Sequence, residues 1–155
     1  MEASAAEALY PVRADLPWAE EDGAVVVLLP KRLDPFSRRV RALMRGPAHL
    51  RVPLDAVGSQ AFRLADGTRT AGSLAAALVG EFGERAGPPD RALAFLGVLA
   101  RNGILQLATQ PTPAPEPRQS LVRRLACDRC DKAFHVADPP GARLRCPACG
   151  RQTLG

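Results

Sequence analysis

Residues 49–108, HLRVPLDAVGSQAFRLADGTRTAGSLAAALVGEFGERAGPPDRALAFLGVLARNGILQLA, decide the fold. They read as a strand, three short helices and a closing strand, the order of a small peptide-reading or nucleic-acid-reading module and not of an enzyme core. Leu54-Asp55 opens the first helix, Asp66-Gly67 is a turn dipeptide, Thr70 is an N-cap, and Gly87-Pro88-Pro89 breaks the chain before the third helix. Apolar residues recur at helical spacing at Val57, Ala61, Leu64 and Ala65, then at Ala71, Leu74, Leu78 and Phe82. In the third helix Ala92, Phe95, Leu96 and Leu99 supply a core face, yet the run from Ala92 to Ala100 leaves almost no polar side. Such a helix is either buried on two sides or turns its second face to an apolar groove.

The segment LDAVGSQAFRLADGTRT, the Leu74/Leu78/Phe82 helix ending in EFGE, and RALAFLGVLARNGIL together resemble the PqqD family, small winged-helix proteins also called RiPP recognition elements. Leu54, Asp55, Gly58, Ser59, Asp66, Gly67, Thr70, Phe82, Gly83, Glu84, Arg91, Phe95, Leu96, Leu99, Arg101, Gly103 and Ile104 fall on the family pattern. Phe62 stands where Trp is usual. Ser73 stands where Glu is frequent, which removes the reciprocal half of a capping box. The resemblance covers about half of the chain. It implies an α+β fold in which a small sheet packs on three helices, and a non-catalytic role: holding the leader of a ribosomally made precursor peptide and presenting it to a modifying enzyme, in several systems a radical-SAM enzyme. The leader-contacting residues it points to are His49, Leu50, Arg51 and Val52 on the strand and Arg91, Ala94, Val98 and Arg101 on the third helix.

Upstream, AVVVLLP from Ala24 to Pro30 is an unbroken apolar run ended by proline, which fits a buried strand. Phe36, Val40, Leu43 and Met44 then recur at helical spacing with arginines between them, an amphipathic helix inserted at 31–48. Lys31, Arg32, Arg38, Arg39, Arg41, Arg45 and Arg51 face Asp34 alone, a local charge of +6 that exceeds the +5 of the whole chain. Such a stretch is a solvated helix face or a surface for an acidic peptide, a partner protein or a phosphate backbone. Pro53 has no N–H, so the strand from His49 to Pro53 belongs at a sheet edge. An open edge is a hazard unless another chain uses it, and a guest strand added there would have a short ladder. Residues 1–22 show no clear period beyond a short strand near Tyr10 to Arg13.

The domain order expected for the 155 residues is therefore a poorly defined segment at 1–22, a PqqD-like domain at 23–108 carrying the basic insert, a linker at 109–120, and a tail at 121–155. Pro111, Pro113, Pro115 and Pro117 make the linker an extended spacer. The tail is too short to bury a sufficient core unaided. It contains Cys127-Asp128-Arg129-Cys130 and, after fifteen residues, Cys146-Pro147-Ala148-Cys149-Gly150. Two such knuckles can aim four thiolates at one ion, and this spacing reads as a structural zinc site. Four thiolates leave no open coordination position, which argues against a catalytic metal. The tail resembles the short zinc-ribbon fingers, with KAFHVA expected as one strand, DPPGA as the turn and RLRC as the paired return. His135 is read as structural.

No signal-peptide pattern, no run of the roughly 20 apolar residues that span a bilayer, and paired cysteines of metal-binding spacing together suit a cytoplasmic protein without a membrane partner. Two histidines, no phosphate loop and no paired carboxylates leave nothing for catalysis; Asp55 and Asp66 suit a helix start and a turn. The rival reading is a nucleic-acid binder or regulator using Arg38, Arg39 and Arg41, but a recognition helix needs polar and basic residues, which the third helix lacks. A scaffold whose edge strand pairs with its own copy is a third.

Overall fold

Asp55 and Thr70 start helices, as their positions predict. The Asp55 carboxylate accepts from the Gly58 N–H at 2.7 Å, and the Thr70 hydroxyl accepts from the Ser73 N–H at 3.3 Å. In the computed structural model, which describes residues 2–116 and 121–154, the chain is α+β, with small sheets and five α-helices among the described residues. In order these are α1 (Glu2–Glu7), β1 (Tyr10–Arg13), β2 (Trp18–Glu21), β3 (Ala24–Pro30), α2 (Pro35–Met44), β4 (His49–Pro53), α3 (Ala56–Leu64), α4 (Ala71–Phe82), α5 (Pro89–Arg101), β5 (Leu105–Ala108), β6 (Arg123–Ala126), β7 (Ala133–Val136), β8 (Arg143–Arg145) and β9 (Gln152–Leu154).

Two compact units form, and neither is continuous in sequence. Met1–Leu16 joins Leu54–Pro117 in one, and Pro17–Pro53 joins Arg118–Gly155 in the other. The sequence reading groups 23–108 together, whereas the observed division falls between Pro53 and Leu54.

In the helical unit, α3, α4 and α5 bury Ala61, Phe62, Leu74, Ala75, Leu78, Leu96 and Leu99. The expected core positions Val57, Leu64, Phe82 and Phe95 are only partly buried; the first three lie at or next to a helix end, where fewer neighbours cover them, whereas Phe95 is in the middle of α5. Strand β1 pairs antiparallel with β5. On its other side the Arg13 N–H reaches the Ala65 carbonyl at 2.9 Å, and the Gly67 N–H reaches the Pro11 carbonyl at 3.0 Å. The first half of the proline-rich segment then crosses the Asp66-Gly67 turn: Thr112 N–H bonds to the Gly67 carbonyl at 3.1 Å, and Ala114 N–H to that of Asp66 at 3.0 Å. These residues are pinned to the helical unit and are not a free spacer; residues 117–120 of the expected linker lie outside the described residues. The turn itself is shaped by Asp66, whose carboxylate accepts from the N–H and hydroxyl of Thr68.

In the second unit the sheet order is β2-β3-β4, all antiparallel. Val25, Val26, Val27 and Leu28 of the central strand are buried on both faces, which is why AVVVLLP reads as an unbroken apolar run. Helix α2 is capped by Asp34, which accepts from the Ser37 N–H and hydroxyl. It buries none of its own residues, so its apolar side, Phe36, Val40, Leu43 and Met44, faces outward.

The tail differs from its expected pairing. KAFHVA and RLRC do not pair with each other: β7 pairs with β6, and β8 pairs with β9. Each knuckle is the tip of its own hairpin, because the strand residues on both sides of a C-x-x-C are closer in sequence than those across the fifteen-residue loop. Phe134, Val136, Ala142 and Leu144 pack with the buried Cys127 and Cys146 between the hairpins.

Candidate metal centre and open sheet edge

The two hairpin tips are built alike. The Cys127 N–H bonds to the Lys132 carbonyl and the Asp131 N–H to the Cys127 carbonyl, both at 3.0 Å; Cys146 to Arg151 and Gly150 to Cys146 repeat the pattern at 2.9 Å. Asp131 and Gly150 occupy the same left-handed position, at φ 56° and 71°. The sequence carries the repeat, RLACDRCDK at 124–132 and RLRCPACGR at 143–151, a signal the spacing of the cysteines alone does not reveal.

These tips bring all four sulfurs within 4.8 Å of one another, a cluster that can hold a metal ion. Cys127 Sγ is 3.6 Å from Cys149 Sγ, and Cys130 Sγ is 3.6 Å from Cys146 Sγ. The backbone N–H of Cys149, then that of Ala148, draws the Cys146 thiol down to about 7. At Cys130 the Lys132 N–H favours the thiolate, but desolvation and the three neighbouring sulfurs outweigh it and push the thiol up to about 12. A metal ion bound here would take the cysteines as thiolates. His135 contributes no ligand to this cluster. Its N–H donates to Glu21 at 2.6 Å, and its ring Nδ1 lies 3.2 Å from the same carboxylate oxygen.

That contact ties the ribbon to the sheet within this unit. Arg51 on β4 binds Glu21 on β2 at 2.5 Å, donates through Nε to the His135 carbonyl at 3.1 Å, and stacks 5.5 Å above the Phe134 ring. The Ala48 N–H bonds to the buried Asp138 carboxylate, whose main-chain oxygen accepts from Arg123. Sequence reasoning gives Arg51 to a peptide; the structure commits its guanidinium to Glu21 and the ribbon. Glu21 and Asp138 carry no sequence signal of this role, since their partners lie far along the chain.

Burial alone pushes the Glu21 pKa up, but the Arg51 guanidinium and the His135 N–H outweigh it and hold the carboxyl below its ordinary 4.5. A depressed carboxylate adds stability in full above that ordinary value and loses it as pH falls through the folded one. Glu21→Gln should therefore cost about 2 kcal/mol near neutral pH, and the cost should shrink on acidification. Denaturant unfolding followed by the fluorescence of Trp18, the single tryptophan, reads this unit directly.

Strand β4 ends the sheet. Its register sets Pro30 opposite His49, and the Lys31 N–H donates to the Ala48 carbonyl. Alternation then turns the N–H and C=O of His49 and Arg51 away from β3, and no strand pairs with them among the described residues. Pro53 has no N–H to offer. Leu50 is 53% exposed, and Val52 is partly buried. The other four residues expected to contact a leader, Arg91, Ala94, Val98 and Arg101, are exposed along one stripe of α5, in the helical unit. The two expected sets thus lie in different units. Exposure of Ala94 and Val98 also settles that α5 is not buried on both sides.

No protein-family model, curated protein or solved structure matches this chain. Among the described residues no helix is long and apolar enough to cross a membrane.

Proposed function

We propose that the chain is a non-catalytic peptide-binding protein that takes up the leader of a ribosomally made precursor as an added strand on β4 and presents it to a modifying enzyme, with a structural zinc ion in its ribbon. The carrying observation is the open edge of β4, where His49 and Arg51 turn their main-chain groups outward. Strand addition needs such a ladder, with side-chain pockets beside it for specificity. The resemblance of 49–108 to the PqqD winged helices supports the same reading. Zinc is supported by the sulfur geometry: a tetrahedral centre with Zn–S bonds of about 2.3 Å sets its sulfurs about 3.8 Å apart, close to the 3.6 Å of two of the pairs, with all four within 4.8 Å. Cys127, Cys130, Cys146 and Cys149 would be its ligands, and the ion would fix the two hairpins to one another.

The test is a display selection of random linear peptides on the full chain. Binders should lose about tenfold in affinity with His49→Pro relative to His49→Ala, one ladder bond's worth, because proline removes an outward N–H without touching the β3 ladder. Failure to enrich any peptide, or binders indifferent to that pair, overturns the reading. The nucleic-acid alternative rests on Arg38 and Arg39, which are exposed, and Arg41, which is partly so; it requires a salt-dependent gel shift on random DNA that disappears when these three are replaced.

A further inference from the structure

A cavity of about 480 Å³ opens beside β4 within the second unit, inside the roughly 300–1,000 Å³ range of ligand pockets. Leu50 lines it from one face of β4, and His49 and Arg51 line it from the other. A space that touches both faces of an edge strand wraps around its unpaired side. Its accessible apolar surface comes from Met44 of α2, Pro47 and Leu50, with Phe134 and Val136 of β7 and Leu144 of β8 almost fully buried behind it.

Charge around the cavity is one-sided. Lys31, Arg41, Arg143 and Arg145 line it, and none of the four is paired with a carboxylate among the described residues. Its other cation, Arg51, is neutralised by Glu21. Its one carboxylate, Asp138, is occupied by the Ala48 N–H and lies 3.7 Å from His49 Nδ1. That ring nitrogen is itself buried without a hydrogen-bond partner.

We infer that this cavity is the specificity pocket of the β4 edge and that it selects an acidic strand: a large apolar side chain entering the cavity, with Asp or Glu two positions away on the same face of the guest. The inference rests on the peptide reading above and deepens it. An added strand places alternate side chains on one face, so the residue that fills the pocket and its i±2 neighbours point the same way, the latter toward the four free cations. The ribbon supplies two of the cations, Arg143 and Arg145, and its buried core backs the cavity. Its role is then to build half of the pocket, and peptide affinity depends on the metal that holds the ribbon.

The random-peptide selection, run on the zinc-loaded full chain, separates this inference from the reading beneath it. Enriched peptides should carry Leu, Ile, Met or Phe flanked at i±2 by Asp or Glu. The double variant Arg143→Glu/Arg145→Glu changes two exposed side chains, which leaves the ribbon core intact. It should weaken those peptides about tenfold and shift a fresh selection toward Lys and Arg at the flanking positions. Binders that respond to His49→Pro but show no acidic preference, or that ignore the double variant, refute the pocket and leave strand addition standing. A selection that yields no binder removes both.

Discussion

Stripping metal from the full chain with a zinc chelator should abolish amide-exchange protection in β6 to β9 while leaving α3, α4 and α5 protected. The ribbon core consists of Phe134, Val136, Ala142 and Leu144 beside two cysteines, with Leu125 partly covered. Ordering each backbone residue costs about 1–2 kcal/mol, and so few apolar side chains cannot offset that cost. Structural zinc sites contribute an apparent 10–16 kcal/mol at neutral pH, enough to decide whether the ribbon folds. The helical unit has its own core in Phe62, Leu74, Leu78 and Leu96 and should be indifferent. Because Glu21 and Arg51 hold the ribbon to the β2-β3-β4 sheet, Trp18 fluorescence should change as the ion leaves. Mass spectrometry under native conditions should find one zinc per chain, bound more weakly as pH falls and protons compete for the thiolates. A ribbon that keeps its protection without metal would overturn the structural role.

Gly67→Ala should destabilise the helical unit by about 3 kcal/mol. Two costs combine. Gly67 has φ +80°, where a side chain adds about 1–2 kcal/mol of strain. A Cβ would also stand 1.7 Å from the Thr112 carbonyl oxygen and 3.1 Å from the Val12 side chain, and such overpacking adds about 1–3 kcal/mol. The obstacle is main chain, which cannot rotate aside. Relief requires releasing the segment that contains Thr112 from the turn, so residues 110–114 should become susceptible to protease in the variant. Equilibrium unfolding that shows a loss below about 1 kcal/mol would mean that the proline-rich segment is not held there.

Much of this architecture can be read from local signals. Asp55, Asp66 and Thr70 hydrogen-bond residues two or three positions away, so their roles are written in short motifs. Pro53 places β4 at an edge for a reason internal to proline. The four cysteines come together as their spacing indicates. What the sequence conceals is non-local. The division after Pro53 depends on which partner each strand finds, and β3 would look the same packed on helices or on a ribbon. Arg51 looks like a free cation until Glu21, thirty residues earlier, is found beside it. The hairpin pairing is hidden because KAFHVA and RLRC are both good strands, and composition does not say which strand each one chooses. The matching RL-x-C-x-x-C segments do contain that answer, since equal flanks around each knuckle imply equal hairpins.

Hydrogen exchange at the amides of His49 and Arg51, measured on the zinc-loaded chain with and without a peptide selected on it, tests the open edge most directly. Strand addition should slow exchange at both residues, with no change at Leu50 and Val52, whose N–H groups already face β3. Unchanged exchange at His49 and Arg51 under saturating peptide would contradict capture at β4.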